Sequence, residues 1–335
     1  MHKTNRFIKG ILLPLDIYRV LKYISVQKKF LSERITPVLN EAISKNDGSL
    51  DEQDVKKINH YYGLAVPAIL GEAFCSLRGN KMTSEERWAS TCQGAMTGLF
   101  DDFFDKDYLA DDTVEKMIAT DQRPVAKRAN QQLFDLFYKN ALDHVPDKRI
   151  MYETLLEVYK AQVGSRKQTS VITKQELVDL TYAKGGNSVL FYRTAFSPPA
   201  SGKETELLYN LGGMMQLSND IFDIYKDREA GIKTLITETK HVKDIRDMFK
   251  SCLEKYYADA FKAGFAEKNV RRFLNIISIG IFSRCFVCLQ QLENNERSSG
   301  GEFIVQQYSR KQLICDMDKI SNMLRSARSH INDIP

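Results

Sequence analysis

Apolar residues recur along almost the whole chain at the three- and four-residue spacing of a helix, whereas alternating β-branched stretches bounded by tight-turn dipeptides are missing. That periodicity predicts an all-α fold. Only 8 prolines and 18 glycines are spread over 335 residues, so both helix-breaking residues are under-represented. With 43% hydrophobic and 27% charged residues the chain can bury a sizeable core, which excludes disorder as its main state. Forty-eight basic residues against 43 acidic ones leave +5, with no long block of either sign, so no nucleic-acid partner is expected.

The first 22 residues mix charges into their apolar positions and lack a signal-peptide pattern. The longest apolar run, Phe273 to Gln290, contains Arg284 and reads as a buried core helix, so no integral membrane span is expected. Six scattered cysteines, among them Cys285-x-x-Cys288 with no second pair to complete a zinc site, read as core thiols of a cytoplasmic protein. Ser49 with Glu52 three positions on reads as a capping box; its helix runs through Ile58 and Tyr62 to be kinked or ended at Pro67. The loops at 45–48, 78–83, 197–203 and 294–301 are too short to be domain linkers. An N-terminal arm (1–45) and one helical domain (46–335) are therefore expected, with a homodimer left open as the assembly.

Two acidic segments carry the chemistry. Residues 99–107 read Leu-Phe-Asp-Asp-Phe-Phe-Asp-Lys-Asp, and on a helix Asp101 and Asp105 share a face with Asp102 beside them. Phe100, Phe103 and Phe104 are interleaved with the acids, a poor composition for a solvated face. In the second segment Gly212, Gln216, Asn219, Asp220, Asp223 and Asp227 fall within roughly a 100° arc, while Met214, Leu217, Ile221, Ile224 and Tyr225 occupy much of the remainder. Oxygen ligands on an otherwise buried helix are costly unless they meet cations or water. Two such helices would suit Mg²⁺, which takes few carboxylates and completes its shell with water and substrate phosphates.

Asp101-Asp102-x-x-Asp105 resembles the D-D-x-x-D motif of class I isoprenoid synthases, and Asn219-Asp220-x-x-Asp223-x-x-Lys226-Asp227 resembles the second metal motif of class I terpene synthases. Asp223 stands where that pattern has Ser or Thr. Read as Gln216-x-x-Asn219-x-x-x-Asp223-x-x-x-Asp227, the same stretch is similar to the second motif of squalene and phytoene synthases, whose D-x-x-x-D is met by Asp101 and Asp105. The separation of the two motifs is also nearer to bacterial head-to-head synthases than to terpene cyclases. Chain-elongating synthases rank third, because their early Gly-Gly-Lys-Arg signature is missing before Asp101, although Lys184-Gly185-Gly186 echoes a later segment.

The resemblance implies a helical bundle around a deep cavity, several Mg²⁺ ions, and ionisation of an allylic prenyl diphosphate to a carbocation with release of diphosphate. It implies Asp101, Asp102, Asp105, Asn219, Asp223 and Asp227 as metal ligands, with Gln216, Lys226, Arg228, Arg310 and Tyr308 around the diphosphate. Arg166 and Lys184 are the nearest substitutes for an arginine that cyclases usually place upstream, where this chain has Thr173. Phe100, Phe104, Tyr182, Phe191 and Phe222 are candidates to shield the cation. Gly94 and Thr97 before Asp101, and Gly212 and Gln216 before Asn219, are expected to leave room for the hydrocarbon tail. Terpene cyclisation leads, head-to-head coupling is the alternative, and a non-catalytic isoprenoid-binding protein is the reading from another class. Di-iron chemistry is disfavoured because Glu238-x-x-His241 occurs singly.

Overall fold

A computed structural model describes residues 2–105, 109–119, 123–200 and 202–335, apart from the side chains of residues 2–5, 8 and 105. Among the described residues the fold is all-α, with no strand. Contacts divide the chain into two compact units, residues 19–160 with 190–201 and residues 1–18 with 161–189 and 202–335. The first helix, His2–Phe30, contributes to both.

In the 19–160 unit the Ser84–Asp105 helix packs along the Ala129–His144 helix. Phe100 stacks on Phe134 at 6.0 Å between centroids and Phe103 meets the same ring edge-on at 5.2 Å. Small residues line another side of the Ser84–Asp105 helix. A Cβ on Gly94 would stand 2.5 Å from the Tyr62 carbonyl oxygen, and one on Gly98 would stand 3.1 Å from Lys57 Cβ. The space beside Gly94 is therefore taken by the Tyr62–Gly63 backbone, and that beside Gly98 by the Lys57 and Tyr62 side chains, where room for a hydrocarbon tail was expected.

In the other unit the Lys174–Arg193 and Lys203–Glu229 helices meet glycine against glycine. A Cβ on Gly185 would lie 1.9 Å from the Gly212 carbonyl oxygen, and one on Gly212 would lie 2.1 Å from that of Gly185. Gly186 lies under the Tyr209 ring and Gly213 under the Tyr182 ring. Gly212 thus permits a helix crossing, and the Gly185–Gly186 backbone takes the room expected beside it. The expected core helix is present as the Glu267–Ser298 run, long and apolar enough to cross a membrane but with 67% of its most apolar stretch buried inside the protein. Arg284 reaches its surface and lies over the Phe222 ring at 5.2 Å.

Local signals correct the expected ends. The capping box lies at Asp51, not Ser49. Asp51 is extended at φ −114°, its carboxylate accepts from the Asp54 N–H at 3.0 Å, and the Asp54 carboxylate accepts from the Asp51 N–H at 2.8 Å. Ser49 is held instead by the Asp47 carboxylate, which accepts from its N–H and its hydroxyl. Pro67 does not end its helix, because the chain passes through it in a wide π turn, Val66–Gly71, that tolerates a missing N–H. Similar wide turns occupy Leu31–Ile35, Lys57–Tyr61 and Ser278–Phe282.

Adding one methyl at the glycine crossing should force the two backbones apart. Gly212→Ala is expected to lower unfolding free energy by about 1–3 kcal/mol in denaturant titration. Gly10→Ala, whose Cβ meets nothing nearer than 3.9 Å, should be neutral or slightly stabilising. Equal behaviour of the two variants would mean that the crossing does not constrain the fold.

Candidate functional site

The Ser84–Asp105 helix presents its acids differently from one another. Asp101 is half-buried, and its carboxylate accepts a hydrogen bond from the Tyr62 hydroxyl at 3.2 Å. Nearby, the Tyr192 hydroxyl donates to Thr97 Oγ1 at 3.1 Å, and burial, reinforced by the Asp101 charge, pushes the Tyr192 phenol up. Asp102 is buried and forms an ion pair with Lys57, a partner that sequence spacing did not reveal. Asp105 is the last helical residue, and its side chain lies outside the described residues. Phe100 and Phe104 are buried edge-to-face at 5.4 Å, and Phe104 tilts against Tyr159 at 6.1 Å, which places both in an aromatic core.

The Lys203–Glu229 helix gathers the second set. Gln216 Nε2 donates to Asp220 Oδ1 at 2.8 Å, and Asn219 Nδ2 donates to Asp223 Oδ2 at 3.4 Å. Loss of hydration raises the carboxyls of Asp220, Asp223 and Asp227 above the ordinary 3.8. Asp220 reaches about 6, its burial outweighing the Gln216 hydrogen bond and the Lys184 charge. Asp227 reaches about 7, because the Asp220 and Asp223 charges add to its own desolvation. Lys226 and Lys184 oppose that rise without cancelling it.

Lys184 arrives from the neighbouring helix, one residue before the Gly185 contact that brings the two backbones together. Sequence reading named it as a substitute for an arginine and as part of the Lys184-Gly185-Gly186 echo of chain-elongating synthases. Asp220 was visible on the polar arc but was left out of the ligand set. Its place between Gln216 and Asp223 on one face was the available signal.

The remaining candidates lie toward the end of the same helix. Arg228 donates to the carbonyls of Val305, at 3.2 Å, and Tyr308, pairs with Glu229, and lies over the Tyr225 ring at 4.9 Å. It clasps the 305–308 segment to the helix. The Tyr308 ring stacks on Phe303 at 5.0 Å with its hydroxyl against Ser299. Arg310 and Lys226 are exposed, the former over the Tyr225 ring at 5.9 Å. On the opposite side of the helix Ser218 Oγ lies 2.6 Å from Cys285 Sγ, and Cys288 Sγ donates to the Ile221 carbonyl at 3.4 Å. All six thiols are free. His241 meets Glu296 at 3.0 Å.

Among the described residues no three His, Cys, Asp or Glu side chains converge tightly enough to hold a metal ion on their own. The donor set is nevertheless one of hard oxygens whose negative charge the protein leaves poorly compensated. It fits Mg²⁺, which needs only one or two carboxylates when phosphates and water complete its shell.

Because Asp220 and Asp227 hold folded-state values near 6 and 7 against an ordinary 3.8, the folded chain binds protons that the unfolded chain has released. Their effect is to lower stability as pH rises from about 4 to about 7, levelling off above that. Without divalent metal, Tm should fall between pH 5 and pH 8. Asp227→Asn should flatten that fall and be about 1–3 kcal/mol more stable than the parent at pH 8. A variant as pH-sensitive as the parent would remove this carboxylate from the explanation.

Comparison with known proteins finds no matching protein-family model and no matching curated protein. Among solved structures the chain is similar to a dehydrosqualene synthase in complex with ligand, at 13% sequence identity, over 94% of this chain and 97% of that one, with a TM-score of 0.49.

Proposed function

We propose that the chain is a Mg²⁺-dependent class I isoprenoid synthase that ionises an allylic prenyl diphosphate. The observation that supports this best is the Asp220, Asp223 and Asp227 cluster, with Asp227 pushed up to about 7, on a helix whose motif resembles the second metal motif of that family. Carboxylates only partly compensated on a largely buried helix are costly to keep unless a further cation comes to them.

Mg²⁺ bound together with the diphosphate supplies Lewis acidity at the leaving oxygens. Asn219, Asp223 and Asp227 would hold the cations from one helix, and Asp101 and Asp105 are the ligands that the aspartate-rich motif implies on the other. Asp102, neutralised by Lys57, anchors its helix more than it offers a ligand. Lys184 and Lys226 limit the repulsion among the acids, and Lys226 and Arg310, being exposed, are the cations free to meet a diphosphate. Arg228 holds the 305–308 segment in place. In the reaction the C–O bond breaks with its electron pair leaving on the diphosphate, and the allylic cation then cyclises or loses a proton.

Head-to-head coupling is the second reading, favoured by Asp223 where cyclases carry Ser or Thr. Purified protein with Mg²⁺ and geranyl, farnesyl or geranylgeranyl diphosphate is expected to release diphosphate. Asp227→Ala and Asp101→Ala should each cut that release about 100-fold or more. From farnesyl diphosphate alone, a C15 hydrocarbon or alcohol supports cyclisation and a C30 product supports coupling. Binding of all three diphosphates with no release would make the protein a non-catalytic isoprenoid binder.

A further inference from the structure

The His2–Phe30 helix is apolar on two opposite sides. One side is buried and carries Leu13 and Val20, with Asp16 accepting from Asn275 Nδ2 at 2.8 Å. On the other, Phe7, Ile11, Leu15 and Tyr18 stand within roughly an 80° arc over three turns, with Phe7 70% and Tyr18 63% exposed. Leu21 continues the stripe. Against the first part of this helix packs the Ile320–Asn332 helix, where Arg6 donates to the Asn332 carbonyl at 3.3 Å and Lys9 to that of Ile334 at 2.9 Å. This second helix also exposes Ile320 and Leu324, the latter by 67%. A helix apolar on both sides is ordinarily covered on both.

The charge on this helix identifies the cover. Lys3, Arg6, Lys9, Arg19, Lys22, Lys28 and Lys29 face a single acid, Asp16, within residues 2–30, a balance of +6 against +5 for the whole chain. The rest of the chain is therefore at −1, and essentially all of the net charge sits on one element. Its only carboxylate is turned inward to Asn275. Two copies joined through this face would bring like charges together, whereas an anionic bilayer surface offers apolar depth for Phe7, Ile11 and Tyr18 and phosphates for the exposed Lys22, Lys28 and Lys29.

We infer that the His2–Phe30 helix docks the protein in the plane of an anionic lipid surface through its Phe7, Ile11, Leu15 and Tyr18 stripe. This inference stands independently of the proposed catalysis. Its test is flotation of the full chain with vesicles of phosphatidylcholine containing phosphatidylglycerol, compared with phosphatidylcholine alone. The chain is expected to float with the anionic vesicles and not with the neutral ones. Phe7→Ser with Ile11→Ser and Tyr18→Ser should reduce binding about tenfold or more. Lys22→Glu with Lys29→Glu should do so without altering an apolar residue. Circular dichroism and Tm check that both variants remain folded, and the charge-reversed variant decides the matter should the first not fold. Equal flotation with neutral vesicles, no flotation with either, or unchanged binding by the folded variants would overturn the inference. So would light scattering that shows a dimer which the triple variant converts to monomer, since the cover would then be a second copy.

Discussion

Contact between two helix backbones at Gly185 and Gly212 determines what stands beside the carboxylates of the Lys203–Glu229 helix. Side chains normally keep helix axes about 8–10 Å apart. With hydrogen in their place on both helices, a carbonyl of one chain segment lies where the other's Cβ would be, and the residue before the contact is carried toward the acids. Lys184 occupies that position, and its charge acts on both Asp220 and Asp227. The electrostatics of the site therefore originate in a steric fact one residue away. The aromatic lids over Gly186 and Gly213 close the same crossing from its sides.

Much of this was legible from spacing alone. The polar arc from Gly212 to Asp227 and the helical class followed from a 3.6-residue period, which needs no knowledge of neighbours. What spacing could not supply was which neighbour filled each gap. Gly94 and Gly212 read as openings because a glycine looks the same in sequence whether it faces a cavity or another backbone. Asp102 could not be told from Asp101 until Lys57, 45 positions earlier, was found against it. Asp220 was visible on the arc, yet its burial depends on elements far away in the chain. Phe100 and Phe104 showed the same ambiguity, since an aromatic beside an acid can shield a cation or simply fill a core.

Burial acts on the two acidic helices in opposite ways. Asp102 has a lysine partner, so its charge is matched inside the fold. The Asp220, Asp223 and Asp227 set has only partial compensation from Lys184 and Lys226, and its carboxyls move upward as a result. An ion pair that balances itself holds a helix in place, whereas an imbalance leaves capacity for something that is not part of the chain.

The wide turns have a bearing on how this chain can change over time. A π turn carries one residue more than an α turn, so each amounts to a single-residue phase shift in an otherwise regular spiral. Deleting one residue within Ser278–Phe282 would let that turn relax to the α spacing while the helix after it kept its facing. Cys285, Phe286, Cys288 and Leu289, all now buried, would stay turned to the interior. A one-residue change in length can therefore be absorbed at this turn, and a relative lacking the extra residue would keep its apolar pattern on either side of a one-residue gap.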